Sequence, residues 1–321
     1  MSKKLLVGLL SLLPFMSPAA LAADEKFVAI TQIVEHPALD ACRKGVQDEL
    51  AERGFKVGEN LKWMYESAQG NPTTANQIAK KFAGEEPDVI VAIATPSAIT
   101  AAAAARNTPV VFSAVTDPLG AKLVKTLEKP GGKVTGTMDM LPIDKHLQLV
   151  KRIVPDVKTI GTIYNPGEAN SVSLVERLKQ ESASAGLVLR EAAVTKSSEI
   201  LNAARSLVGK VDAIYLLTDN TVISGVEAVI KVGEQNKLPV IAADTDTVTR
   251  GAIAAYGFNY YDVGRQTGGI VADILEGKAP GDIDVQGVEK LELYLNPGAA
   301  ERMGVKLDSK LSEEAKEIVG G

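Results

Sequence analysis

Asp88-Val89-Ile90-Val91-Ala92-Ile93-Ala94-Thr95-Pro96-Ser97 is answered later in the chain by Asp212-Ala213-Ile214-Tyr215-Leu216-Leu217-Thr218-Asp219-Asn220. Each copy is an acid, an apolar run of strand length and a polar helix start. Each is followed by a helix-length stretch, then Pro and a second apolar run, Pro109 to Ser113 in one copy and Pro239 to Ala243 in the other. Upstream, Lys26-Phe27-Val28-Ala29-Ile30 is echoed by Lys158-Thr159-Ile160-Gly161-Thr162-Ile163-Tyr164. Short apolar runs alternating with amphipathic helical segments specify a parallel sheet covered on both faces. Repetition of the unit makes the expected fold class α/β, with two doubly wound parallel-sheet lobes and a ligand cleft between them.

Residues 1–22 have the make-up of a cleavable export signal: Lys3 and Lys4, an apolar core from Leu5 to Phe15, and Ala20-Leu21-Ala22 in the small-residue pattern of a cleavage site. Pro14 and Pro18 interrupt a stretch shorter than the roughly 20 residues that span a bilayer, which argues against a membrane anchor. No Cys follows the cleavage site to carry a lipid. The mature chain is therefore expected free in a periplasm-like space, without membrane insertion of its own. Loss of the leader takes the 35 basic and 40 acidic residues to 33 and 40, a formal charge of −7 that suggests neither nucleic acid nor anionic membrane as a partner. About 300 mature residues exceed what one core usually serves. Cys42 is the only cysteine, so the fold must stand without an internal disulfide; its spacing with Ala38, Val46 and Leu50 on one helical face reads as core packing.

Pattern and punctuation place strands near 27–33, 61–66, 88–94 and 109–113 in the first half, and near 159–164, 187–194, 211–217 and 239–243 in the second. Pro130-Gly131-Gly132 with the run 134–140, and Tyr256-Gly257-Phe258-Asn259-Tyr260, read as crossings between lobes. A helix near 261–276 then returns to the first lobe, and a last strand near 288–295 makes a third crossing. Lobe one is expected at 24–139 plus 260–284 and lobe two at 140–259 plus 285–321, joined by a three-segment hinge.

In open parallel sheets a ligand binds outside the carboxyl ends of the strands. Six loops meet that rule: Gln32 to Leu39, Thr95 to Ser97, Ala114 to Pro118, Asn165 to Ser171, Thr218 to Asn220 and Asp244 to Thr247. None contains Lys or Arg. Thr95-Pro96-Ser97 reads as a helix start with Thr as N-cap and Pro at the first helical position, and free amides there bind a carboxylate without a cationic side chain. Simple capping explains any one such Ser or Thr, but not six such loops aimed at one place. Asp117, Asp219, Asp244 and Asp246 supply carboxylates for an ammonium, although Asp219 as an N-cap and Asp117 as a turn former are equally natural. Amide donors with Asp acceptors describe a zwitterion, an amino acid.

No catalytic set is apparent. His36 and His146 are the only histidines, in no metal-ligand spacing, and there is no G-x-S-x-G or G-x-x-x-x-G-K-[ST] run. Both histidines read as surface or capping groups, and no metal or cofactor is expected.

Glu35-His36-Pro37-Ala38-Leu39-Asp40, Ala94-Thr95-Pro96-Ser97-Ala98, Ala114-Val115-Thr116-Asp117-Pro118-Leu119-Gly120-Ala121, Lys129-Pro130-Gly131-Gly132-Lys133-Val134-Thr135-Gly136 and Asp219-Asn220-Thr221 together resemble the ABC-transporter substrate-binding proteins of tryptophan and related aromatic amino acids. The resemblance covers nearly all of residues 26–310. It implies a type I periplasmic-binding-protein fold, an aromatic amino acid (Trp, Phe or Tyr) held between closed lobes, and delivery by a monomer to an inner-membrane permease. It implies ligand contacts from Thr95, Ser97, Thr116, Asp117, the loop Asn165 to Ser171 with Glu168, Ala169 and Asn170, and Thr218, Asp219 and Asn220. Gln32 and Asp244 join these as cleft-loop candidates. Phe112 and Tyr164, at strand ends beside these loops, are the aromatic groups available to stack on a ring, with core packing as their plainer reading. An exported two-lobed enzyme acting on an amino acid would need acid and base groups paired across the cleft. A sensor domain presenting its closed form to a receptor would share the pocket.

Overall fold

The structure is a computed structural model and describes residues 25–288 and 290–320; the leader expected at 1–22 lies outside the described residues. The first lobe is built from β1 (Lys26–Gln32), α1 (Pro37–Glu52), β2 (Leu61–Ser67), α2 (Pro72–Glu85), β3 (Val89–Ile93), α3 (Thr95–Ala104), β4 (Val110–Val115) and β5 (Val134–Met138). The second follows with α4 (Ile143–Ile153), β6 (Thr159–Tyr164), α5 (Ala169–Ser184), β7 (Val188–Ala193), α6 (Ile200–Leu207), β8 (Ala213–Leu216), α7 (Asn220–Ser224), α8 (Glu227–Asn236), β9 (Val240–Ala242), α9 (Thr245–Thr249) and β10 (Ala254–Gly257). The chain ends with α10 (Tyr260–Leu275), β11 (Gln286–Gly287), β12 (Glu292–Leu295), α11 (Pro297–Arg302), α12 (Ser309–Glu314) and β13 (Glu317–Ile318).

Each lobe carries one sheet. The strands of the first lie in the order β11-β5-β4-β3-β1-β2, and all of their pairings are parallel. The second runs β13-β12-β10-β9-β8-β6-β7, parallel except where β12 meets β10. Every residue of β3, β4, β8 and β9 is buried, which is why these strands read as unbroken apolar runs rather than alternations. The strand order reverses between β1 and β3 in one sheet and between β6 and β8 in the other. The loops leaving these strand pairs part there and open a crevice, the usual place for a ligand.

The second half differs from the sequence reading. Thr245–Thr249 is a short helix, and Ala254–Gly257, read as part of a crossing, is a strand. Between β8 and β9 the chain forms two helices, α7 and α8, separated at Gly225. Gln286–Gly287 pair with β5 in the first sheet.

Helix α10 returns from the second lobe and lies against α1 with almost no side-chain spacer. A Cβ at Gly264 would overlap the carbonyl of Cys42, and one at Gly45 would overlap the carbonyl of Tyr261. Cys42 is a buried free thiol. Its sulfur lies 2.9 Å from Ser113 Oγ, which in turn lies 2.6 Å from Thr267 Oγ1, and burial pushes the thiol up to about 12.

Candidate functional site

The two switch-point crevices face one another across a cavity between the lobes, the usual setting of a small-molecule site. The first lobe contributes His36, Ala38 and Leu39 after β1, Thr95 after β3, and Ala114 and Thr116 after β4. The second contributes Asn170 after β6, Thr218, Asp219, Asn220 and Ile223 after β8, and Asp244 after β9. Asp139 and Tyr260, from two of the crossing segments, complete the wall.

Helix α3 points its first turn at this space. Its N-cap is Ala94 rather than Thr95, with φ 72° and ψ 154° and no side-chain cap. That backbone region is costly for any residue but Gly and is characteristic of ligand-contacting turns. Ala114, at the end of β4, has φ 53°. With no side chain capping α3, the buried hydroxyls of Thr95 and Ser97 are left without a hydrogen-bond partner. Asn170 Oδ1 and Thr218 Oγ1 are in the same condition. Buried polar groups are rarely orphaned, and those of Thr95, Asn170 and Thr218 belong to residues that line the cavity.

Three carboxylates line the cavity and, among the described residues, no Lys or Arg does. Asp219 caps α7, accepting from Val222 N at 2.8 Å, and also accepts from Asn165 N and Ser171 Oγ, each at 2.6 Å. Asp244 caps α9, accepting from Thr247 N at 2.8 Å and Thr247 Oγ1 at 2.7 Å. Asp139 caps no helix. Tyr260 Oη donates to it at 2.6 Å and Thr116 Oγ1 at 3.2 Å, so it ties two crossing segments together at the cavity wall. Burial raises all three carboxyls above the ordinary range, and Asp219 is raised further by the Glu168 carboxylate.

Of the residues singled out from sequence, Thr95, Thr116, Asn170, Thr218, Asp219, Asn220 and Asp244 line the cavity. Gln32, Ser97, Asn165, Glu168 and Ser171 stand behind it. Glu168 accepts from Asn220 Nδ2 at 2.6 Å and Thr221 Oγ1 at 2.7 Å, and Gln32 braces the loop after β1 by donating to Val34 O and Asp40. Four candidates lie elsewhere. Phe112 is fully buried in the core of the first lobe, hard against Gly136, because β4 is covered on both faces. Tyr164 ends β6 next to the edge strand β7 and faces Glu191. Ala169 is exposed at the start of α5. Asp117 accepts from Gly120 N at 2.8 Å and from Ser173 Oγ of the second lobe at 3.2 Å, so it caps a turn and bridges the lobes. His36, read as a surface or capping group, is instead 8 % exposed, lines the cavity and caps nothing.

Two parallel-sheet lobes with a cavity between them at their switch points define a type I periplasmic binding protein, an architecture also seen in far more distant binding proteins. The chain belongs to the family described as ABC transporter substrate binding protein, whose sequence model matches residues 27–319. It is 43 % identical over 272 residues to the tyrosine-binding protein of Clostridioides difficile (strain R20291), covering 85 % of this chain and 79 % of that one. A crystal structure of the ABC domain in complex with L-Trp from Streptococcus pneumonia is 34 % identical and superposes with a TM-score of 0.89 over 92 % of this chain and all of that one. The ligand-free, open structure of a substrate-binding protein with adhesive properties from Clostridium difficile is more identical, at 41 %, yet superposes with a TM-score of only 0.69 over 91 % of this chain and 98 % of that one. The lobes here thus stand nearer to their arrangement in the L-Trp complex than to that in the open, ligand-free structure. Among the described residues no helix is long and apolar enough to cross a membrane, and no group of three or more His, Cys, Asp or Glu could hold a metal ion.

Proposed function

We propose that this protein is the binding component of an ABC importer for an aromatic amino acid, exported by cleavage near Ala22 and acting as a free monomer that releases its ligand chemically unchanged to a membrane permease. The observation that carries the amino-acid reading is the polarity of the cavity: three buried carboxylates, no cationic side chain among the described residues, and a helix start whose Thr95 and Ser97 hydroxyls are unpartnered. The ligand carboxylate sits at the first turn of α3, where amides and hydroxyls converge. The ammonium sits at Asp139, since Asp219 and Asp244 are engaged in helix caps, and those two add to the negative potential. A ligand touching both lobes favours the closed state through its differential affinity. The aromatic side chain is supported by the ligands of the two relatives, tyrosine and L-Trp. The lobe limits we propose are 25–139 with 260–287, and 140–259 with 290–320.

Melting of the ligand-stripped mature protein against the twenty amino acids, with sugars and nucleosides as controls, tests this. A ligand at a hundred times its Kd adds about 2.7 kcal/mol to stability, and a shift restricted to Trp, Tyr or Phe is the expected result. A shift only with a sugar or nucleoside would leave the fold and sink the ligand.

Affinity is also expected to rise with pH. The raised carboxyls hold a proton in the empty protein at pH values where an ordinary Asp has lost it, and an ammonium requires the ionised form. Binding therefore releases protons, and affinity falls as pH drops through the raised range. Calorimetry in buffers of different ionisation enthalpy reads the release directly; no buffer dependence would remove the ammonium from these acids.

A further inference from the structure

His36 is a buried group that the zwitterion does not use. It follows β1, while Asp139 follows β5, and in the sheet those two strands are three steps apart, roughly 14 Å at about 4.8 Å per step. His36 shares its part of the cavity wall with Ala38 and Leu39 from the first turn of α1, an apolar surface with one polar ring set into it. The residue is 8 % exposed, and its Nδ1 is buried without a hydrogen-bond partner. Its place at the N-cap does not explain it, since the side chain makes no cap bond to α1.

We propose that His36 reads the ligand's side chain, its imidazole taking a hydrogen bond from the phenol hydroxyl of tyrosine or the indole N–H of tryptophan and so selecting aromatic amino acids that carry a donor over phenylalanine. The inference rests on the aromatic amino-acid reading above and sharpens it. A neutral imidazole can accept such a bond and an imidazolium cannot. Burial, and after it the nearby Arg250 of the second lobe, lowers this histidine to about 3, so the ring is neutral across the physiological range. A phenylalanine ring in the same place leaves the nitrogen orphaned, and sites built to bond a ligand O–H or N–H discriminate strongly against analogues without one.

Titration calorimetry of Tyr, Trp and Phe against wild type, His36→Leu and His36→Gln decides it. Wild type is expected to bind Tyr or Trp at least about tenfold more tightly than Phe. His36→Leu should bring the ratio to within about threefold by weakening the donor-bearing ligand more than Phe, and a melting transition like that of wild type shows that the variant is folded. His36→Gln, which keeps an acceptor, should restore part of the preference. An undiminished preference in His36→Leu, or no preference in wild type, overturns the proposal while the amino-acid reading stands. Failure of wild type to bind any of the three overturns both.

Discussion

Replacing Gly264 with alanine is expected to destabilise the protein by about 3 kcal/mol or more, at the upper end of what overpacking costs, and to weaken ligand binding in whatever remains folded. The added carbon would meet the backbone of Cys42, which cannot rotate away as a side chain can. The two helices must then separate, and α10 begins at Tyr260, whose hydroxyl holds Asp139 at the cavity wall. Gly45→Ala meets α10 from the other side and should behave alike. Gly269 is the matched control. It lies on the same helix with nothing near its missing Cβ, so Gly269→Ala should stabilise by up to about 1 kcal/mol through helix propensity alone. Denaturant unfolding of the three variants gives the answer, and a Gly264→Ala protein as stable as wild type would mean that the helices are not in backbone contact.

Asp139→Asn should reduce amino-acid affinity by roughly tenfold to a hundredfold, the worth of a charged hydrogen bond in a dry site. The change keeps the size of the side chain and one acceptor for Tyr260 or Thr116. Asp117→Asn, at the rim, should alter affinity by less than about threefold, because its loss affects a turn cap and one bridge to Ser173. Equal affinities in wild type and Asp139→Asn, with binding abolished in Asp219→Asn, would move the ammonium to the second lobe.

The contrast between Asp139 and Asp117 shows where reading the sequence stops. The βα-loop rule needs only strand order and helix starts, which the apolar runs of β1, β3, β6 and β8 reveal, so Thr95, Asn170, Thr218 and Asp219 were within reach. Asp139 and Tyr260 sit in crossing segments, and they meet only because of how the lobes are joined. Asp117 has the composition of a site residue, and its bonds to Gly120 and Ser173 are visible only in the folded chain. Phe112 lies away from the cavity because a strand's residues alternate between faces and both faces of β4 are covered, while Tyr164 ends β6 beside the edge strand β7. β10 went unseen because Ala254-Ala255-Tyr256-Gly257 contains no β-branched residue, and α9 because five residues are too few for a helical period to register. His36 was passed over because one histidine without a partner in sequence carries no pattern.

Cys42 makes this protein convenient to instrument. Its thiol is walled in between α1 and β4 and stays protonated well above any labelling pH, so it is blind to maleimides. Cysteines introduced one on each side of the cleft would then be the only sites that react, and a donor and acceptor dye on such a pair would report opening and closing of single molecules without first removing a native thiol.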